Sequence, residues 1–317
     1  MNQLIRRTSL TFLMCMTASI TSAFASAESV FPSMDEFRRV DASGVTVLRL
    51  TIDNDSLLLN KDDGFYTSGN QISARKMLNN AQQSVIYGWQ FGQDLYTASN
   101  INLAPDQILA VDHPYAGWLY TGVFREFADK TGTASRIGVD LGCLGPCAGG
   151  ARTQTQLHKL IDQPLPQGWS TQLQQEWGAV LSGEWSPARW QLAKNIDLQP
   201  RVKARFGNIF TDASIETILR LGQLNDLPEQ TANFGFLRGE MKAVGYDATL
   251  QGGYFKNQAL SVHPQRMVGE LELGYQWRAI NYGLLASVIR RSSGIKELSN
   301  ALGEQNFVRL QFNYVIK

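Results

Sequence analysis

Apolar and polar residues alternate along most of this chain, the period-two pattern of strands with two unlike faces. Val85, Tyr87, Trp89 and Phe91 share one side of a run whose other side carries Ser84, Gly88, Gln90 and Gly92. Ile137, Val139, Leu141 and Cys143 stand opposite Arg136, Gly138, Asp140 and Gly142. Leu173, Trp177, Ala179, Leu181 and Trp185 repeat the pattern, as do Leu271, Leu273, Tyr275 and Trp277. At the C-terminus Val308, Leu310, Phe312, Tyr314 and Ile316 alternate with Arg309, Gln311 and Asn313.

A soluble β-sandwich alternates too, so length and edge chemistry have to decide. These runs extend over ~10–14 residues, where a globular strand has ~5–6. Aromatic residues recur at their ends (Trp118, Tyr120, Trp185, Trp190, Trp277 and Tyr282), as in the interfacial girdles of membrane proteins. The polar faces carry Arg, Glu and Gln, which suits a hydrated or charge-paired interior. The expected class is all-β, a transmembrane antiparallel β-barrel. Strand-like runs fall near 45–55, 64–76, 83–93, 116–128, 133–144, 171–186, 189–201, 202–210, 213–223, 237–255, 266–279, 281–291 and 304–317. A bacterial single-chain barrel has an even number of strands. Pro200 cannot donate to a ladder, so 189–210 is read as one long, bent strand, giving about 12. The chain closes on Ile316-Lys317 and not on the aromatic residue common at the end of such barrels.

Composition fits this picture. Mean hydropathy is −0.19, the near-neutral average that alternation produces, and net charge is +1 without a long run of one sign. Neither nucleic-acid binding nor electrostatic attachment to a membrane surface is suggested. Arg6 and Arg7 precede an apolar segment from Leu10 to Ala23, and Ala23-Phe24-Ala25 or Ala25-Ser26-Ala27 offers a cleavage site. Residues 1–27 therefore read as an export signal, 28–44 as an N-terminal extension and 45–317 as the barrel, placed in a bacterial outer membrane. Beyond the signal no run of ~18 apolar residues could make a spanning helix. Cys143 and Cys147 flank Leu-Gly-Pro, whose turn can bring them within bonding reach; a disulfide and two free thiols both remain open.

Chemistry concentrates in two segments. Asp53-Asn54-Asp55 and Asp62-Asp63-Gly64 gather an amide and four carboxylates between two strands, a density of charge that calls for water or a cation. Asp/Asn-rich turns also arise simply because these side chains bond their own backbone. With periplasmic termini, the loop after the first strand and the loop 145–170 share the outer rim. Within the second loop, Thr153 can cap a short helix reaching Ile161 before Pro164. Leu157, Leu160 and Ile161 form its apolar stripe, for which the barrel wall is the nearest packing surface, and Gln154 and His158 share a face. A helical histidine is commonly structural. Beside an amide-plus-carboxylate cluster it also suits a general base, with the cation polarising an ester carbonyl and Asn54 donating to the oxyanion. No G-x-S-x-G elbow is present.

Five pieces in order give the chain a family resemblance. They are Asn54-Asp55, then Asp63-Gly64-Phe65-Tyr66-Thr67-Ser68-Gly69, then Asp112 to Tyr120, then Gly145-Pro146-Cys147-Ala148-Gly149-Gly150, and last Gln154-x-x-x-His158. In these the chain resembles the outer-membrane lipid A 3'-O-deacylases, the LpxR-like family. The resemblance implies a twelve-stranded barrel whose site lies between the wall and a helix in an external loop. It implies Ca2+-dependent hydrolysis of the 3'-linked acyloxyacyl ester of lipid A in lipopolysaccharide. Asn54, Asp55, Thr67, Gln154 and His158 match the family's site positions, with Asp55, Thr67 and Asp162 as metal ligands. Asp53 stands where relatives have Glu, the acidic residue after the histidine is not clearly placed, and His113 replaces a frequent Arg and reads as structural. A membrane-embedded monomer is expected. Other readings are a pore or surface-binding barrel without enzymatic activity, and an outer-membrane phospholipase.

Overall fold

Among the described residues thirteen strands make one antiparallel sheet, and twelve of them close it into a barrel. The computed structural model describes residues 31–58, 64–256 and 260–316; the export signal, Asp62 and Asp63 lie outside these. The strands are β1 (Val45–Asn54), β2 (Phe65–Asn79), β3 (Gln83–Thr97), β4 (Ala116–Asp129), β5 (Ala134–Leu144), β6 (Glu176–Ser186), β7 (Trp190–Ala193), β8 (Ile196–Gly207), β9 (Phe210–Gln223), β10 (Ala232–Asp247), β11 (Met267–Arg278), β12 (Tyr282–Arg291) and β13 (Gln305–Ile316). Closure comes from β1 pairing with both β2 and β13, and from β6 pairing with β8.

Segment 189–210 is not one bent strand. Trp190–Ala193 turns back on β8 as a short hairpin, and β8 alone enters the barrel. Pro200 explains where the two meet. It pairs with Thr217 of β9, but on its other edge it stands between Leu198, the last partner of β7, and Val202, the first partner of β6. The missing N–H falls where that edge changes neighbours.

Both termini emerge at one end of the barrel, where the turns 80–82, 130–133 and 279–281 are short. The segments 98–115, 145–175, 248–256, 260–266 and 292–304 lie at the other end, the asymmetry of an outer-membrane barrel with its long loops outside. Alternation sorts the two faces. Leu50, Ile72, Trp89, Phe91, Val123, Leu141, Leu273 and Phe312 are exposed on the outside. Inward positions carry charge in matched sets: Arg238 bonds Glu272 (2.6 Å), Glu216 (3.2 Å), Glu240 and Glu270. Trp185, Trp190, Trp277 and Tyr282 are exposed as a girdle would be, but Trp118 is 2% exposed and stacks on Tyr120 within the barrel. Register decides this: Trp118 pairs with lumenal Asp94, whereas Gly117 pairs with Leu95 on the outer face.

The termini end is obstructed. Segment 224–231 folds into the lumen, Leu227 is 1% exposed, and the Glu229 carboxylate bonds Arg49 (3.0 Å), Arg75 (3.4 Å) and Arg278. Arg189 fixes the same segment through the carbonyl oxygens of Asn225 and Asp226. Outside the wall at this end lies α1 (Met34–Ser43), capped by Ser33. Its Glu36 accepts from Arg125 and from the hydroxyl of Tyr87 (2.8 Å), two residues that point out of the barrel.

Candidate active site

The first two strands end in a division of labour. Asp53 faces the lumen, where both of its oxygens accept from Arg309 (2.8 and 2.7 Å) and one from the hydroxyl of Tyr66. Its neighbour Asn54 pairs with Val308 and Ser68 on the outer face. The dense Asp-Asn-Asp cluster is therefore split by the sheet: Asp53 is neutralised inside, and Asn54 belongs to the wall. Asp55 follows the strand end at 4% exposure, its Oδ2 accepting from the N–H of Gly64 (3.0 Å).

The outer wall changes character near its upper edge. Across its middle it is largely apolar, with Leu50, Ile72, Phe91 and Val123 exposed; above Phe91 and Ile72 the outward positions become Gln93 on β3, Ser68 and Asn70 on β2, and Asn54 on β1. A β-bulge between Tyr66 and Ser68 supplies one more polar group. Ser68 faces out beside Asn54, so regular alternation would also turn Tyr66 out. The extra residue, Thr67, lets Tyr66 turn into the lumen instead. The Thr67 hydroxyl meets that of Thr97 at 2.7 Å, with both residues buried, and the Thr67 carbonyl accepts from the N–H of Asp55 (3.4 Å).

Against this polar edge lies α2 (Gly150–Leu160). It begins three residues before Thr153, because Gly149 takes a left-handed φ of 69° and caps it. Cys143 and Cys147 form a disulfide across the approach, with Cα atoms 6.0 Å apart, so the open question of their pairing closes as a bond. Gln93 of the wall donates to the Ala148 carbonyl (2.7 Å) and to Thr153 (3.2 Å). Gly150 lies so close to Trp169 and Leu95 that a Cβ there would come within 2.6 Å of the indole.

The helix faces the wall with Gly150, Gln154 and His158, not with its apolar stripe. Leu157, Leu160 and Ile161 remain exposed. The helix lies outside the sheet at a membrane rim, where apolar side chains meet lipid, so the usual inside-out rule for an amphipathic helix is inverted. His158 is 5% exposed, and its Nδ1 lies 2.6 Å from the Pro164 carbonyl oxygen. A carbonyl can only accept, so Nδ1 carries the proton and Nε2 is the basic nitrogen. Gln154, 2% exposed, accepts at Oε1 from the indole N–H of Trp169 (2.7 Å). Trp169 belongs to the turn Gly168–Thr171 and packs edge-on against Tyr115 and against Leu95 and Ala98.

Asn54 and Thr67 thus belong to the upper edge of the wall, with Asp55 just beyond it, and Gln154 and His158 to the buried side of α2. Asp162 is on the exposed turn after α2, with a left-handed φ of 55°. The candidate metal donors Asp55, Thr67 and Asp162 are all oxygen, the set a hard cation prefers. Among the described residues no three Asp, Glu, His or Cys side chains gather as a ready metal centre. His113 is structural: 4% exposed, it donates to Pro114 (2.7 Å) and stacks on Tyr96, and burial pushes its pKa below the ordinary value. Sequence patterns did not single out Gln93, Thr97, Pro164 or Trp169. The first two lie where an outward position turns polar, a break in the alternation that marks the site.

The profile of the family described as outer membrane protein LpxR matches residues 10–316. Among solved structures, LpxR from Salmonella typhimurium superposes with a TM-score of 0.71 at 19% identity, covering 84% of this chain and 99% of that one. The β domain of the Bordetella autotransporter BrkA aligns at 11% identity with a TM-score of 0.48, over 86% of this chain and 99% of its own. No curated protein matches the sequence. The near-complete family match and the closed twelve-strand barrel identify this chain as a member of the LpxR family of bacterial outer-membrane proteins.

Proposed function

We propose that this protein is a lipid A 3'-O-deacylase, an ester hydrolase working in the outer leaflet. The observation that carries the reading is His158: buried on the wall-facing side of α2, its tautomer fixed by Pro164, across from a polar strip on an otherwise apolar wall. A site between α2 and the outer face of the sheet would be reached from the lipid, so the substrate class is an amphiphile whose ester lies near the headgroup boundary.

In the proposed reaction the Nε2 of His158 takes a proton from a water molecule, and the hydroxide adds to the carbonyl carbon of the 3'-linked acyl ester. Asn54 donates to the oxyanion as it forms. The tetrahedral adduct collapses, the bond from the carbonyl carbon to the sugar oxygen breaks, and the imidazolium returns the proton to that oxygen. The products are a fatty acid and a free 3'-hydroxyl. Asp55 and Thr67, with Asp162 from the turn after α2, would hold a calcium ion, which when bound polarises the ester carbonyl.

The obstructed end of the barrel counts against the pore reading, because Glu229 and its arginines tie segment 224–231 into the lumen there. The deciding experiment is mass spectrometry of lipid A from cells with and without the protein, at millimolar Ca2+. Loss of the 3' acyloxyacyl mass in the presence of the wild type is the expected result. Unchanged acylation alongside fatty-acid release from phosphatidylethanolamine vesicles would transfer the mechanism to phospholipids.

A further inference from the structure

We infer that Trp169 is a positioning residue that sets the polarity of Gln154, holding it in the cleft as a hydrogen-bond donor. This deepens the hydrolase reading and rests on it. A glutamine amide has two ends of nearly equal size, one that accepts and one that donates, and a half-turn about its last torsion exchanges them. An indole N–H can only donate. Trp169 therefore decides the matter: with its Nε1 2.7 Å from Oε1 of Gln154, the amide oxygen is committed to the indole and the NH2 group is turned away from it.

Trp169 is itself held on several sides. Its ring meets that of Tyr115 at 5.2 Å and an interplanar angle of 70°. It packs on Leu95 and Ala98 at the head of β3, and Gly150 of α2 lacks the side chain that would displace it. Just past the turn that carries it, the N–H of Leu173 donates to the carbonyl of Tyr115, the residue before β4 (2.9 Å). The indole is thus referenced to the barrel wall, and through it the Gln154 amide is referenced to the same frame as Asn54 and Thr67. In an ester hydrolase a fixed donor serves the carbonyl oxygen or the oxyanion, whereas a fixed acceptor there would repel them. Gln154 and Asn54 then approach the reacting carbonyl from the two sides of the cleft.

The test is steady-state deacylation by the purified, refolded full-length barrel, with heat-modifiable migration on gels confirming the fold of each variant. Trp169→Phe keeps the aromatic packing and removes the N–H. Without the indole N–H the amide loses the bond that sets its polarity, so kcat is expected to fall about three- to tenfold with KM little changed. In a Gln154→Ala background, itself about 100-fold down, Trp169→Phe should cost nothing more. Gln154→Glu leaves Trp169 in place and still offers it an acceptor but no donor to the cleft; it is expected to be as inactive as Gln154→Ala.

An unchanged kcat in Trp169→Phe overturns the inference, as does an equal loss in both backgrounds, the mark of a merely structural role. Wild-type activity in Gln154→Glu overturns the donor assignment even where Trp169→Phe does not fold. A wild-type protein without deacylase activity would instead refute the underlying hydrolase reading, a separate outcome.

Discussion

His158 donates its Nδ1–H to the Pro164 carbonyl oxygen across 2.6 Å, a bond from the last turn of α2 to the chain just beyond it. The bond fixes both the tautomer and the ring plane, so the base is oriented before substrate arrives. His158→Ala should reduce deacylation by about 10²- to 10⁴-fold, the range for a positioned acid–base group. Barrel assembly should be unchanged, because the ring contributes to the cleft and not to the strand ladder. Lipid A mass spectra and gel mobility of the same preparation check both halves.

Metal dependence follows from the oxygen-only donors. A chelator should abolish turnover and Ca2+ should restore it, with Zn2+ ineffective because it prefers nitrogen and sulfur ligands. Asp55→Ala should stay inactive at any Ca2+ concentration. Asp162→Asn should raise the Ca2+ needed for half-maximal rate by about tenfold, the scale on which a supporting ligand acts. Titration of rate against free Ca2+ separates the two. An Asp162→Asn curve that overlays the wild type removes Asp162 from the ligand set.

Glu229 gives a prediction unrelated to catalysis. Removing one partner from a buried charge cluster leaves Arg49, Arg75 and Arg278 facing one another, at a cost of about 3–5 kcal/mol. Glu229→Ala should lower the thermal midpoint and loosen segment 224–231. In planar bilayers the wild type should be silent, and the variant should show openings that favour anions, since arginines would line the entrance.

His113 supplies a pH signature away from the chemistry. Burial disfavours its imidazolium, so the folded-state pKa lies below the unfolded value of about 6.5; Asp247 and Asp112 oppose this but do not reverse it. The unfolded chain therefore binds the proton more readily. The contribution to stability is complete above pH ~6.5 and is lost as pH falls below it. Protease resistance of segment 98–115 should be greater at pH 7.5 than at pH 5.5, and His113→Phe should flatten the difference.

Most of the barrel could be read from the chain because alternation is a local signal: strand spans such as 133–144 and 281–291 fall within a residue or two of Ala134–Leu144 and Tyr282–Arg291. What alternation lacks is a label for inside and outside where a strand leaves the membrane. Trp118 and Tyr120 looked like girdle residues and are lumenal, since pairing parity and not residue type decides. Leu157 and Leu160 looked like the packing face of α2, yet lipid outside the sheet reverses the rule. Asn54, Thr67, Gln154 and His158 stand as the proposed site and were named from motifs that resemble the family's. Trp169 and Pro164 were not, because they act through an indole and a backbone carbonyl in a segment without periodicity.

The extra residue at Thr67 has a consequence for how this sequence tolerates insertions and deletions. Excising that one amino acid would leave a tidier ladder between β2 and β3, and by the measure of strand regularity the sheet would improve. Tyr66 would then precede Ser68 directly and still face the lumen and Asp53, while the hydroxyl beside Thr97 would vanish altogether. At this spot an imperfection in the weave adds a hydroxyl to the layer without changing which side its neighbours face.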